Sequence, residues 1–423
     1  MTVEIINTEV PNGYMKTKNG IFPSDWEVRK IKDVLIRVRN PVDVQSNEEY
    51  KEIGIRSHGK GIFYKETVSG KQLGNKAVFW VEPDCFIVNI VFAWEMAVAK
   101  TTKNELGFIA SHRFPMYKPK KNMLDLDYIT YLFKSPRGKY LLNLASPGGA
   151  GRNKTLGQKE FGELEVVIPR NVEEQMKISD ILLTWDKVIE LKEKLIEQKK
   201  EQKKGLMRKL LTGEVRLPGF EGEWKTVRLG QIGKTYNGLS GKSADDFGKG
   251  KHYIPYKTIF DDSKIDISRL EYVRVDNHEK QNIVKYGDIF FTTSSETPDE
   301  VGMSSVLLDQ IDELYLNSFC FGYRLNDFNI LLPKFAQFLF RGNDFRSRIF
   351  SLAQGSTRFN ISKNEVMKIE VSLPSIEEQK SIATILSDSA REIKLLQKQV
   401  EFLIEQKKGL MQLLLTGKVR VRV

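Results

Sequence analysis

Hydrophobic residues recur along two long stretches of the chain in alternating steps of four and three residues. In the later stretch the series runs through Ile382, Leu386, Ser389, Ile393, Leu396, Val400, Leu403, Lys407, Leu410 and Leu414. In the earlier stretch it runs through Ile178, Leu182, Trp185, Ile189, Lys192, Ile196, Lys199, Lys203, Leu206 and Leu210. Steps of this kind place one apolar seam along an α-helix, as in a coiled coil. The pattern predicts two long helices, and lysines interrupt the seam of the first at three places.

The two stretches are copies of each other. Residues 173–217 and 377–421 align without a gap at a constant offset of 204 positions, and both begin with Glu-Glu-Gln. Neither helix can bury its seam alone, so the shared register predicts that the two pack together as a coiled coil within one chain. The alternative is a dimerisation coil that has no further role.

Local signals mark both ends of each predicted helix. Asn171 can cap the first helix, and Ser375 with Glu378 forms the pattern of a capping box at the second. Each helix is predicted to stop at a Thr-Gly pair, where Gly213 or Gly417 can adopt the left-handed conformation that ends a helix. A helix of roughly 40 residues is about 60 Å long at about 1.5 Å per residue.

Globular segments precede both helices. Residues 22–31 open the first segment, and a similar segment with the same Phe and Trp spacing, 220–229, follows the first helix. Because the N-terminus resumes the motif that follows a helix, the two chain ends are predicted to meet in space, with a pseudo-twofold relation between the halves. The residues before Gly20 are polar and are predicted to be loose. The predicted division of the chain is 1–168, 169–217, 218–373 and 374–423.

Both globular segments show the same mixed pattern. In the first, residues 77–98 predict two strands and a turn, because they are β-branched and aromatic with a Pro-Asp break. A helix, a glycine-rich basic loop and a strand are predicted over 124–144, 146–154 and 164–168. The second segment repeats this plan with strands over 288–293, 314–325 and 368–373, a helix over 333–353 and a loop over 354–360. The predicted fold class is α+β, with two mixed α/β domains separated by the long helices.

The charge balance changes the picture from a generic two-domain protein to one with a polyanionic partner. The 423 residues carry a formal net charge of +11, and the sequence pI is about 9.2. A basic surface gains affinity for phosphates through counterion release. An anionic membrane surface would also fit, but no apolar run approaches the roughly 20 residues needed to span a bilayer. With no signal-peptide pattern and two cysteines in apolar runs, Cys85 and Cys320, we expect free buried thiols and a cytoplasmic protein.

The repeated organisation resembles the specificity subunits of Type I restriction-modification enzymes over the whole chain. The helix starts that carry the resemblance are Ile168-Pro169 with Glu173-Glu174-Gln175, and Leu373-Pro374 with Glu377-Glu378-Gln379. The helix ends that carry it are Lys204-Gly-Leu-Met207 to Leu211-Thr-Gly213, and Lys408-Gly-Leu-Met411 to Leu415-Thr-Gly417. One such set would be a weak signal, whereas two at constant spacing are a specific one.

The resemblance implies two target recognition domains, each of which reads one half of a bipartite sequence in double-stranded DNA. It also implies that the two helices run antiparallel, fix the spacer between the half-sites and dock two adenine methyltransferase subunits. Restriction and translocation subunits complete such a complex. The chain itself would then be no enzyme and bind no cofactor, and S-adenosylmethionine, ATP and magnesium would belong to the partner subunits.

The residues support this reading independently, because two similar modules on a rigid connector suit a duplex with two short determinants at a fixed distance. Two alternatives stay open. One is a recognition subunit for a related system in which methylation and cleavage are fused in one partner. The other is a structural coiled-coil protein that bridges DNA without sequence preference.

Catalytic motifs are absent from the sequence. No Asn/Asp-Pro-Pro-Tyr/Phe motif of an amino-methyltransferase occurs, and the four histidines lack partners at metal-ligand spacing. Residues 238–243 end like a phosphate-binding loop, but Tyr236 occupies the position of its first glycine. A basic loop that faces DNA, or an ordinary turn, is the better interpretation.

The predicted DNA contacts are basic and polar residues in loops. In the first domain they are Arg56, His58, Lys60, Arg113, Arg152, Asn153 and Lys154. In the second domain they are Lys242, Ser243, Thr293, Ser294, Arg358 and Asn360. Arginine and asparagine are the better candidates for reading bases, because they form bidentate bonds to guanine and adenine, whereas the lysines suit phosphates. A solvated surface role is the alternative for each of them.

Overall fold

The computed structural model describes residues 10–149 and 154–423. The chain divides into two compact units. The first unit combines the chain up to Lys192 with Gln399–Val423, and the second unit is Glu193–Lys398. Each unit therefore contains one α+β part and one half of each long helix. The four-segment division made from the sequence cuts the chain at the helix starts instead, and it stays a prediction.

The α+β part of the first unit lies before the first long helix. Its elements are β1 Tyr14–Thr17, β2 Gly20–Pro23, β3 Trp26–Lys30, α1 Ile31–Val34, β4 Leu35–Val38, β5 Glu49–Ile55, β6 Ile62–Tyr64, β7 Val68–Ser69, α2 Gly70–Leu73, β8 Val78–Trp80, β9 Phe86–Val88, β10 Val98–Lys100, β11 Phe108–Ser111, β12 Met116–Pro119, α3 Leu126–Lys134, α4 Pro136–Leu144, α5 Gln158–Glu163 and β13 Glu165–Pro169. The first long helix is α6 Val172–Leu210.

Two sheets organise this part. One is antiparallel and has the strand order β10-β9-β12-β4. The other has the order β6-β5-β11-β8, in which β5 and β11 run parallel. Helices α3, α4 and α5 pack on the first sheet around Phe86, Phe133 and Phe161, which are fully buried. Strand β13 pairs antiparallel with β3, so the start of α6 is fixed beside β3 near the beginning of the domain.

The α+β part of the second unit lies between the two long helices. Its elements are β14 Lys225–Arg228, α7 Leu229–Ile232, β15 Gly233–Asn237, β16 Phe247–Ile254, α8 Tyr256–Asp261, β17 Glu271–Val273, β18 Ile289–Thr292, β19 Ser294–Ser295, β20 Ser304–Val306, β21 Tyr315–Leu316, β22 Cys320–Leu325, α9 Pro333–Leu339, α10 Asn343–Leu352, β23 Phe359–Asn360, α11 Lys363–Val366 and β24 Glu370–Leu373. The second long helix is α12 Ile376–Leu414.

The second unit repeats the strand topology of the first. Its antiparallel sheet has the order β20-β18-β22-β15, which matches β10-β9-β12-β4 strand for strand. Its other sheet, β17-β16-β21, contains a parallel pair, as β6-β5-β11 does. Strand β24 pairs with β14 as β13 pairs with β3. The expectation of one architecture in both halves is confirmed.

The long helices pack together along the predicted seam. Ile178 and Leu182 of α6 and Ile382 and Leu386 of α12 are at most 1% exposed. In the first unit, the Lys407 Nζ lies 2.5 Å from Asp186 Oδ1, and the Lys192 Nζ donates to Gln399 Oε1 at 2.9 Å. In the second unit, the Lys199 Nζ lies 2.8 Å from Glu392 Oε1. Rising numbers on one helix meet falling numbers on the other, so the helices run antiparallel. Two of the three seam lysines of α6, Lys192 and Lys199, thus bind polar groups on α12.

The capping residues and terminal glycines predicted for the helix ends are present, but the Glu378 carboxylate of the predicted capping box binds Arg216. Asn171 Oδ1 accepts the backbone N–H of Glu173 at 2.9 Å, and Ser375 Oγ accepts that of Glu378 at 3.3 Å. Gly213 and Gly417 have φ angles of 73° and 67°. This left-handed conformation carries almost no steric cost for glycine, because glycine has no Cβ.

Some local predictions were incomplete or wrong. The predicted helix over 124–144 is two helices, since a new one starts at Ser135-Pro136, and the helix over 333–353 is likewise divided before Gly342. The residues before Gly20 are not loose throughout, because β1 pairs with β2. The Tyr14 hydroxyl also donates to the Gly417 carbonyl at 3.0 Å, so the contact expected between the two chain ends is present in the first unit.

The two cysteines are buried and free, as expected. Burial raises the pKa of the Cys85 thiol to about 11. Within residues 10–149 and 154–423, no helix is long and apolar enough to cross a membrane.

Candidate nucleic-acid interface

The third residue of each Glu-Glu-Gln sequence joins a long helix to the α+β part that precedes it. Gln175 is fully buried, and its side chain accepts the Asp125 N–H at 2.8 Å and donates to the Pro169 carbonyl at 2.8 Å and to the Met123 carbonyl at 3.3 Å. Asp125 is the N-cap of α3. The glutamine therefore fixes the angle between α6 and the main helix of the domain.

Gln379 repeats this contact in the second unit. It is also fully buried, accepts the Leu332 N–H at 2.9 Å, and donates to the carbonyls of Ile330 at 2.8 Å and Pro374 at 3.0 Å. Leu332 is the N-cap of α9, the counterpart of α3. One side-chain amide thus supplies a hydrogen-bond partner to each of three backbone groups that would otherwise have none.

The second glutamate of each sequence binds an arginine that follows the end of the other long helix. Glu378 is 1% exposed, and Arg216 donates to both of its carboxylate oxygens at 2.7 Å. In the first unit, Arg420 binds Glu174 in the same way at 2.8 and 3.0 Å and also binds Asp25. These carboxylates raise the pKa of Arg420. The segment that follows each long helix is thus bound to the start of the other long helix in the same unit.

Where the structure describes the predicted contacts of the first domain, their loops pack against one segment, 89–97. The His58 N–H donates to the Glu95 carbonyl at 2.6 Å, and the exposed Arg56 guanidinium lies 5.2 Å from the centre of the Phe63 ring. His58 has a φ of 61°, which turns the loop that carries Arg56, His58 and Lys60. All three side chains are exposed.

Two further candidates reach the same segment from other loops. Arg113 is exposed in the turn between β11 and β12, and its carbonyl accepts the Ile90 N–H at 3.0 Å. The Lys154 Nζ lies 5.7 Å from the centre of the Trp94 ring and donates to Asn143 Oδ1 at 2.9 Å. Arg152 and Asn153 lie outside the described residues. The structure therefore brings together loops that are about forty to sixty residues apart in the chain.

In the second domain the structure brings two of the predicted loops together. Strand β19 pairs antiparallel with β23, which places Ser294 opposite Asn360. The Thr293 carbonyl accepts the Ile361 N–H at 3.1 Å. Arg358 and Asn360 are exposed on the hairpin that follows α10. Hydroxyl, amide and guanidinium groups thus share one edge, which is a chemically suitable set for reading bases.

Lys242 and Ser243 lie apart from that edge and have local partners. The Lys242 side chain is 5% exposed and forms an ion pair with Glu279, whose pKa it lowers to about 2. Ser243 caps a short turn by hydrogen bonding to Asp246. Tyr236 donates to Asp288 at 2.6 Å inside the unit and leaves no phosphate-binding loop there. Lys242 and Ser243 stay predictions as DNA contacts.

Sequence reasoning missed several residues that shape these surfaces. Trp94 and Met96 belong to the central segment of the first domain, and Met96 has a φ of 60°, which is rare for a non-glycine residue. The β-branched and aromatic pattern predicts a strand around Trp94, whereas residues Ala93–Glu95 form one turn of 3-10 helix. A Trp next to basic loops is a signal that could have identified it.

The geometry defines a class of protein: two units of one topology, each of which contains a portion of both long helices and exposes different polar and basic loops. Within the described part of the chain, no group of three or more His, Cys, Asp or Glu residues could hold a metal ion. Such an arrangement belongs to a recognition protein that presents two different surfaces.

Comparison with known proteins gives the family. The model of the Type I restriction modification DNA specificity domain matches residues 23–200 and 221–406, so the chain belongs to this family. It is therefore a non-catalytic DNA-recognition subunit of a type I restriction-modification system. The type I restriction enzyme MjaVIII specificity subunit of Methanocaldococcus jannaschii is 27% identical over 431 residues, which cover 95% of this chain and 94% of that protein.

Solved structures show the same fold at lower identity. The type I restriction-modification S subunit from M. genitalium has a TM-score of 0.54 at 16% identity. The alignment covers 96% of this chain and 98% of that chain. A chain from a structural study of complex assembly and conformational transition of the type I R-M system has a TM-score of 0.62 at 15% identity, with 94% of this chain and 99% of that chain covered.

Proposed function

We propose that each α+β part of this subunit reads one half of a bipartite DNA sequence and that the helix pair sets the spacer. The observation that carries the proposal is that the two units share one strand topology and equivalent joints but expose different loops. A joint here is the set of contacts at the start of a long helix: the buried amide of Gln175 or Gln379 and the ion pair Glu174–Arg420 or Glu378–Arg216. Equivalent joints hold the two α+β parts in the same way. The different loops would give each part its own DNA target sequence. Membership of the DNA specificity family favours this function over DNA bridging without sequence preference.

The contacts proposed for the first domain are Arg56, His58, Lys60, Arg113, Arg152, Asn153 and Lys154. Those for the second are Thr293, Ser294, Arg358 and Asn360, together with Lys242 and Ser243, which have local partners. Phosphate contacts fix the register of the duplex, and a few arginine and asparagine side chains in the grooves discriminate bases. The excess of cations in the sequence supports binding to phosphates in general.

The helix pair also docks two adenine methyltransferase subunits in this proposal, and restriction subunits join the assembled complex. Apolar side chains that the seam does not use support a docking role. Leu191 and Phe402 in the first unit are 53% and 63% exposed, and Leu395 in the second unit is 54% exposed. Exposed apolar groups on a helix are typical of an interaction surface when they recur along it. A complex that modifies chromosomal DNA would work in the cytoplasm of its host.

The proposed function predicts a specific loss of DNA methylation. The methylated adenines of the host genome should be read by single-molecule sequencing with this gene intact and deleted. We expect deletion to remove one bipartite motif, with two short blocks separated by several unspecified bases. An unchanged methylation pattern, together with the absence of sequence preference on randomised duplexes, would contradict the proposal.

Replacing Arg358 with alanine should weaken recognition of one half-site only. A bidentate contact between arginine and guanine contributes about 1–3 kcal/mol of discrimination. Competition binding with duplexes that carry one scrambled half-site measures this effect for each half separately. Arg348→Ala is the matched control, because Arg348 is an exposed arginine on α10 that pairs with Asp344. Equal loss at both half-sites, or failure of the methyltransferase subunits to assemble, would show that Arg358 is no base reader.

A further inference from the structure

A basic cleft lies within the second unit, between its α+β part and its portions of the two long helices. Its volume is about 1270 Å³, and nine lysines and arginines line it against four aspartates. Lys200, Lys203 and Arg208 of α6 and Arg391 and Lys394 of α12 are among the lining cations. The DNA contacts proposed above make no use of this cleft.

The first unit contains the position that corresponds to Lys203 of the cleft, and there a carboxylate of the chain itself binds the lysine. Lys407 of α12 packs with its Nζ 5.0 Å from the centre of the Tyr131 ring and 2.5 Å from Asp186 Oδ1. The Tyr131 hydroxyl donates to Asp186 Oδ2 at 2.6 Å. The lysine, the tyrosine and the aspartate thus form a closed set in which each polar group has a partner.

The second unit keeps the lysine and the ring but lacks the carboxylate. Lys203 is the counterpart of Lys407 at the offset of 204, and its Nζ lies 5.7 Å from the centre of the Phe338 ring. The position that corresponds to Asp186 is Ala390, and Phe338, which has no hydroxyl, replaces the tyrosine. Among the described residues, no carboxylate lies within ion-pair distance of the Lys203 ammonium.

The surroundings of Lys203 make this ammonium unfavourable without an anion. Burial lowers its pKa, and the nearby Arg341 guanidinium lowers it further. Arg341 itself donates to the carbonyls of Ser304, Ile259 and Phe260 and brings no negative charge. The Asp388 carboxylate also lines the cleft, but it is 59% exposed and pairs with Arg391 at 3.1 Å. An external anion would complete the site.

We propose that this cleft binds an acidic segment of a partner protein, and that one carboxylate of the segment binds Lys203 where Asp186 binds Lys407 in the first unit. The other cations of the cleft would bind neighbouring carboxylates of the same segment. The docking site exists in the second unit only, because the first unit supplies the carboxylate itself. The second unit would therefore bind the acidic segment and the first unit would not, although the joints of the two units are alike.

The internal comparison favours a carboxylate over a phosphate of DNA. The same lysine on the same helix position takes a carboxylate in the first unit. The cleft is also concave, so a side chain on a narrow peptide can reach the half-buried Lys203 ammonium there. A duplex presents its phosphates on a stiff rod, with one charge per about 1.7 Å of its axis, and meets exposed lysines more readily.

The decisive variant supplies the missing carboxylate from the chain itself. Ala390→Asp should place a carboxylate beside Lys203, as Asp186 lies beside Lys407. The probe is a fluorescein-labelled peptide of eight glutamates, and its binding to the full chain is measured by fluorescence anisotropy. We expect Ala390→Asp and Lys203→Gln each to weaken peptide binding at least tenfold, and Ala390→Asn, which has the same shape without the charge, to change it less than twofold.

Two controls separate the site from general electrostatics and from DNA recognition. Gln412→Glu adds the same charge to an exposed position of α12 outside the cleft and should change peptide binding less than twofold. Binding of a 30-base-pair duplex should be equal in Ala390→Asp and in the unchanged chain. Equal weakening of peptide binding by Gln412→Glu and Ala390→Asp, no binding of the peptide at all, or loss of duplex binding in Ala390→Asp would overturn the proposal. None of these results bears on the methylation motif, so the proposed function is tested separately.

Discussion

Replacing Gln379 with leucine should destabilise the second unit by about 3 kcal/mol or more. The side-chain amide is fully buried and forms hydrogen bonds with the Leu332 N–H and with the Ile330 and Pro374 carbonyls. Leucine has a similar volume, so the change leaves three backbone groups without partners rather than a cavity. A buried polar group without a partner costs about 1–3 kcal/mol.

The effect should be confined to the unit that contains the changed joint. Urea unfolding followed by hydrogen exchange and mass spectrometry resolves the two units, and we expect lower protection in peptides of α9 and of the start of α12. Gln406→Leu is the matched control, because Gln406 is an exposed glutamine of the same helix. If Gln406→Leu and Gln379→Leu shifted the urea midpoint equally, the buried amide would not be the cause.

Gln175→Leu should have the same effect in the first unit, because the Gln175 amide makes the equivalent three contacts, with the Asp125 N–H and with the Met123 and Pro169 carbonyls. A difference between the two variants would show that the joints are alike in geometry but unequal in energy.

The long helices could be predicted from the sequence because their signal is local and repeated. Ten seam positions, Asn171, Ser375, and the left-handed glycines Gly213 and Gly417 all point to the same two elements. The joints could not be predicted. Nothing near Gln379 in the sequence indicates that its amide accepts the N–H of Leu332, 47 residues away.

The recognition surfaces show a similar division. Thr293, Ser294, Arg358 and Asn360 were identified by residue type as two separate loops. Their meeting depends on the pairing of β19 with β23, two strands of two residues each, which leave no periodic pattern in a sequence. The sequence shows that Asp186 corresponds to Ala390 at the offset of 204. Only the structure shows that this exchange removes the carboxylate partner of a lysine that packs on an aromatic ring in both units.

Shortening both long helices by one seam repeat should shorten the spacer of the recognised sequence and leave both half-sites unchanged. Deleting residues 190–196 and 394–400 preserves the alternating steps on each helix, because Lys199 then takes the place of Lys192 and Leu403 that of Leu396. Seven residues correspond to about 10 Å of helix at about 1.5 Å per residue. At about 3.4 Å per base pair, the spacer should lose about three base pairs.

The motif is read from the methylated adenines of a host that carries only the shortened gene. Deleting 190–196 alone is the control, because α6 then lacks seven residues that its partner helix still has. Lys199, which takes the place of the deleted Lys192, cannot contact both Gln399 and Glu392. We expect this variant to lose methylation altogether. A double deletion that altered either half-site sequence, or that left the spacer at its original length, would show that the helix pair does not set the distance between the readers. A shorter spacer with intact half-sites would show that the length of the seam alone carries that part of the specificity.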